Sequence, residues 1–173
     1  GLALCKMNPN GEREAVFQAR FQADVGRKIF SPSEHRVLER VPGFENLAHE
    51  PVLWIGAVIG ARNASRAAHD VADTVGEQWG NFLVRQLVMH AKKKGISHVA
   101  LQRPEYNTNI FKNPLLQEPF LSGLWDPDKR QALFRLYDGI AQATGFQFVP
   151  WSKNYWLMGP LLPPKQARSK APR

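Results

Sequence analysis

The chain has 173 residues, 43% of them hydrophobic and 22% charged, which is enough apolar material for the core of one domain and too little length for two. Its 23 basic residues against 15 acidic ones give a formal charge of +8, a balance suited to polyanionic partners. The single cysteine, Cys5, excludes an internal disulfide framework and a multi-cysteine metal site, no apolar run is long enough to span a membrane as a helix, and the setting read from this is reducing and cytoplasmic.

The first residues, Gly1 to Cys5, are too short an apolar stretch for a secretory signal, and the chain reads equally well as a domain of something longer. Residues 15–25 fit two periods. Phe17, Phe21 and Val25 share a helical face, whereas Phe17, Ala19, Phe21, Ala23 and Val25 alternate as in a strand; the alanines and glutamines favour helix, giving an N-terminal helical segment over 12–42. Within it, Ser31-Pro32-Ser33-Glu34 is a helix start, with Ser31 as cap, and Pro42-Gly43 is the stop. Pro51 to Gly60 is an apolar, β-branched strand. Residues 61–69 read as a turn, and Val71, Asp73 and Val75 alternate as a second strand closed by Gly76.

From Trp79 to Lys94, Trp79, Phe82, Leu83, Leu87 and Ala91 recur at helical spacing, with Lys92, Lys93 and Lys94 in the last turn and Gly95 as terminator. A strand over 96–101 follows. The segment from Pro104 to Trp125 is a long connection, apolar enough to pack on the domain. Asp126-Pro127 opens another helix, with Leu133, Leu136, Tyr137 and Ile140 on one face and Gly145 at its end. Strands at 146–149 and 155–158 flank a turn at 151–154, and residues 159–173 form a proline-rich basic tail, expected to be extended or disordered. Helix-then-strand units at 79–101 and 128–149 imply an α/β (α+β) domain over 1–158, a mixed, mostly antiparallel sheet with helices on its faces.

The segment Val75-Gly76-Glu77-Gln78-Trp79-Gly80-Asn81 is thus expected to join a strand to a helix N-terminus. There the first backbone amides lack intrahelical partners and the helix dipole is positive, so phosphate oxygens are favoured; packing and a tight turn are the alternative reason for the glycines. This order, over residues 52–158, resembles the acyl-coenzyme A-binding core of the GNAT N-acyltransferase superfamily: strand, glycine-containing turn, a helix such as Phe82-Leu83-Val84-Arg85-Gln86-Leu87, Gly95-Ile96 and a strand. The later run from Leu133 through Tyr137 to Gly145-Phe146, then Tyr155-Trp156-Leu157-Met158, is similar to the family's tyrosine-bearing helix and closing hairpin. Three features depart from it. Val75 and Gln78 stand where the family usually has Arg or Gln and Gly, Tyr137 lies eight residues before Gly145, and the 104–125 connection is long.

The resemblance implies acetyl- or acyl-coenzyme A as cofactor and an amine as acceptor. Val75, Gly76, Gln78, Gly80 and Asn81 would hold the pyrophosphate, and the strand at Asp73 and Val75 would hold the pantetheine arm in a groove between splayed strands. Tyr137 is the candidate acid for the leaving thiolate; Asp73, His69 and Glu105, which flank the expected cleft, are candidate bases. From the residues alone, Tyr137 reads as a core aromatic and Asp73 and Glu105 as solvated or capping carboxylates. The second function expected is a catalytically inactive module of the same fold, docking on nucleic acid or a large assembly through Lys92–Lys94, its other basic residues and the tail. The five histidines show no metal-ligand spacing, and His69-Asp70 lacks the nucleophile context of a hydrolytic triad.

Overall fold

The computed structural model describes residues 1–7, 9–60, 65–104, 127–149 and 155–161. Six strands form one sheet: β1 (Leu2–Met7), β2 (Arg13–Val25), β3 (Pro51–Gly60), β4 (His98–Gln102), β5 (Gln147–Phe148) and β6 (Tyr155–Met158). They lie in the order β1-β2-β3-β4-β6-β5, and every pair is antiparallel except β3 with β4. Among the described residues five helices accompany them: α1 (Gly26–Ile29), α2 (Pro32–Leu38), α3 (Ser65–Val75), α4 (Trp79–Lys93) and α5 (Pro127–Thr144). This is the mixed α/β architecture expected from the sequence.

Two segments fold differently from expectation. Residues 13–25 are strand, not helix: with β1 on one side and β3 on the other, the two-residue alternation buries Phe17 and Ala19 and leaves Arg20 exposed, and sheet pairing overrides the helix preference of alanine and glutamine. Residues 71–75 are helix, not strand, and 65–69 belong to the same helix rather than to a turn. Val71 and Val75 are four apart, so one helical face carries both, and three alternating residues were too few to tell the periods apart. Gly76, with φ +73°, closes this helix in the left-handed conformation and donates its N–H to Ala72 O at 2.8 Å.

The other elements lie close to where the sequence puts them. Ser31 caps α2 through a reciprocal box: Glu34 N–H donates to Ser31 Oγ at 3.4 Å and Ser31 N–H to Glu34 Oε2 at 2.9 Å. The 151–154 turn, the tail beyond 161 and Glu105 with most of the long connection lie outside the described residues. Gly159 to Leu161 belong to the domain, Leu161 N–H donating to Ser97 O at 2.7 Å.

Apolar side chains cover both sheet faces. On one, Phe17, Ile55, Val58 and Leu101 pack with Leu83, Leu87 of α4 and Tyr137, Ile140 of α5. On the other, Val52, Ala100 and Leu157 meet Phe30, Leu38, Phe44 and Leu47 from the 26–50 region.

Candidate functional site between the parting strands

The parallel pair β3–β4 is short. Val52 to Ile55 pair with His98 to Leu101, and beyond that point no strand among the described residues pairs with β3 on this side, while β2 follows it throughout. The end of pairing coincides with an irregularity: Arg20 opposes Ala57 and Phe21 opposes Ile55, so Gly56 is an extra residue on β3. Pairing of the two strands thus ends one residue before β4 itself ends at Gln102, and the main-chain groups of β3 beyond Gly56 that face away from β2 lie past the end of that ladder.

One of those positions is taken by a side chain. Val58 N–H donates to Tyr137 Oη at 2.7 Å, and the same hydroxyl donates to Val58 O at 3.2 Å, so one phenol satisfies both main-chain groups as a neighbouring strand would. Tyr137 is 2% exposed. Burial pushes its hydroxyl up to about 12, against the opposing pull of the Val58 N–H. Proton transfer from such a phenol to a thiolate of ordinary basicity runs uphill by about 5 kcal/mol.

The turn expected to seat a pyrophosphate joins α3 to α4 and follows no strand. Gly80, in the first turn of α4, is buried against α5: a Cβ built there would lie 2.6 Å from Ile140 Cδ1. Trp79 stacks on Phe17 of β2 with ring centroids 4.3 Å apart. The glycine thus allows two helices to approach, and the helix start is a packing joint. Glu77 also brings a carboxylate to this turn, paired with Arg85 at 3.0 Å, where an anion would meet like charge.

The remaining predicted site residues disperse. Gly76 and Gln78 are exposed, and Gln78 occupies the N-cap of α4 without a side-chain hydrogen bond. Asn81 is half-buried, its Oδ1 lacking a partner. Asp73 and His69 lie exposed on α3, so Asp73 and Val75 offer helix rather than strand edge, and Glu105 is outside the described residues. Tyr137 meets β3 and, one helical turn on, Ile140 meets Gly80; no predicted base is among its hydrogen-bond partners.

A second polar centre was not anticipated from sequence. His98, 1% exposed, places Nε2 2.9 Å from Gly43 O, which obliges that nitrogen to donate. Its Nδ1 lies 3.0 Å from both Glu50 Oε2 and Ser97 Oγ, and Ser97 Oγ donates to Pro51 O at 3.0 Å. Glu45 accepts Gly43 N–H with both carboxylate oxygens, at 3.1 and 3.0 Å, and hydrogen bonds from backbone amides, its own first and that of Gly43 next, hold its carboxyl below the usual range. The cluster ties the 43–50 loop to the start of β4. Its sequence signal is only a histidine at the head of an apolar strand. Among the described residues no group of three or more His, Cys, Asp or Glu is arranged to hold a metal ion.

Comparison of the chain with protein-family models, with curated proteins and with solved structures finds no match.

Proposed function

We propose that this chain is a GNAT-like domain that has given up acyl transfer and serves as a binding module, docking on nucleic acid or a nucleic-acid-rich assembly in a reducing, cytoplasmic setting. Support for the likeness comes from the parallel β3–β4 pair whose ladder stops at Ile55, the helix bearing Tyr137, and the antiparallel β5–β6 pair that follows Gly145-Phe146. The observation that carries the reading is the Tyr137 hydroxyl bonded to both main-chain groups of Val58. A pantetheine arm would need that strand edge, and entry would leave a buried phenol to find new partners. Charge supports the partner: the chain carries +8, and Lys92, Lys93 and Lys94 stand exposed, in no ion pair among the described residues.

The second reading is the acyl-coenzyme A-dependent N-acyltransferase, favoured by the end of β3–β4 pairing at Ile55, past which β3 runs on to Gly60. Thermal denaturation with acetyl-coenzyme A separates the two. A ligand at about 100 times its Kd raises the melting temperature of a domain this size by roughly 5–10 °C. The binding-module reading expects no shift at millimolar cofactor and RNA or DNA binding that weakens steeply with salt. A saturable shift, or nucleic-acid binding absent at low salt, overturns it.

A further inference from the structure

Among the described residues the sheet ends at β1, which pairs there with β2 alone. Tyr137 fixes the phase of its open side. Because Val58 turns its N–H and C=O away from β2, the opposed Ala19 turns its own toward Leu2, and Ala3 presents its main-chain groups outward. Ala3 and Cys5 are exposed and Met7 is 59% exposed. The strand has no proline; Lys6, its one charged residue, and the register shift between Leu4 and Cys5 guard its second half, while Leu2 to Leu4 carry neither protection.

Beside this edge lies a cavity of about 300 Å³ between β1–β2 and α3. Leu4, Val16, Val71 and Val75 give it apolar walls, and Asp70 brings a carboxylate that enters no ion pair among the described residues. Cys5 and Thr74 complete the lining, the Thr74 hydroxyl donating to Asp70 O at 2.7 Å, so Asp70 is the one anion of the lining.

We propose that β1 and this cavity form a docking site for an extended segment of a partner protein, which adds as a strand to β1 and inserts an arginine or lysine into the cavity. Main-chain bonds to the edge hold the segment, and one side chain in the pocket selects it. The methylene stem of arginine or lysine lies along Val71 and Val75 while its cation meets Asp70. A leucine in the same place leaves Asp70 unpaired, and a nucleic-acid phosphate is repelled by it. The site lies two strands from β3 and stands whether or not the edge of β3 binds a cofactor.

The test is selection from a library of decapeptides with β-branched flanks and a randomised central residue, displayed against the full 173-residue chain. Central arginine or lysine is expected to be enriched. Synthetic versions of the selected peptides should bind roughly tenfold more weakly to Asp70→Asn and to Ala3→Pro, the latter losing an outward donor. Asp70→Asn changes an exposed helical residue, so it keeps the test in force should Ala3→Pro fail to fold. Enrichment of central leucine or glutamate, binding indifferent to Asp70→Asn, or retention of no peptide overturns the proposal.

Discussion

Replacing Tyr137 by phenylalanine removes one oxygen atom and leaves the ring in place. The loss falls on two buried groups at once, because Val58 N–H and Val58 O share that hydroxyl. An unsatisfied buried donor or acceptor costs about 1–3 kcal/mol, so the pair should cost about 2–4 kcal/mol together, with some relief where water reaches that edge. For a domain of this size that is a fall of roughly 6–12 °C in melting temperature. Two assays read it independently: thermal unfolding by circular dichroism, and hydrogen exchange at the Val58 amide, protected in the parent and fast in the variant. A melting temperature within about 1 °C of the parent, with Val58 still protected, would refute the reasoning, since something else would then be closing that edge. The hydroxyl's titration gives a further check. Its folded value, pushed up to about 12, lies above the ordinary 10.0, so its contribution is intact below about pH 10 and disappears as the pH climbs through the folded value, by about 3 kcal/mol in all.

Gly80→Ala should destabilise the domain by about 1–3 kcal/mol, because the new methyl meets Ile140 Cδ1, and Ile140→Val in the same chain should restore part of the loss; equal stability of all three proteins contradicts the packing joint. His98→Leu strips Gly43 O and Glu50 of their partner and should cost about 2–4 kcal/mol by urea unfolding, with the 43–50 loop exchanging fastest. Glu45 has a lowered carboxyl, so its bond to Gly43 N–H persists above the ordinary glutamate range and is lost as the pH falls through the folded value; the protection of the Gly43 amide, its exchange judged against that of a free amide at the same pH, should fall only there. Changing Lys92, Lys93 and Lys94 to glutamine should flatten the salt dependence of nucleic-acid binding by about 2–3 in log–log slope, and an unchanged slope places the contact elsewhere.

Much of the fold was legible because several signals agreed locally. Ser31 with Pro32 and Glu34 marks a helix start on three counts, and the apolar repeat from Trp79 to Ala91 runs for four turns before Lys92–Lys94 and Gly95 end it. Residues 13–25 and 71–75 were not legible for opposite reasons. In the first, tertiary pairing on both flanks decides between two periods that the composition weighs wrongly. In the second, the valines satisfy a two-residue and a four-residue repeat equally, and only the chain before them, from Ser65, settles the matter. The site was legible in part. Tyr137 reads from the residues as a core aromatic and is buried, but its hydroxyl's partner is a main-chain group 79 positions away, and no side-chain pattern advertises which strand amide needs one. For Gly80 the sequence offers two reasons for the missing Cβ, approach of a phosphate and close packing, and the structure supplies a neighbour for the second, Ile140.

The most direct measurement is the amide spectrum of Val58 and Gly60 recorded with and without acetyl-coenzyme A at about 1 mM, a concentration that saturates any site of micromolar affinity. If Tyr137 closes the strand edge, both resonances stay where they are and Val58 remains protected. Saturable movement of the two, with the phenol released and an amine acylated in the same tube, would mean that the edge opens for a cofactor and that the domain is an enzyme after all.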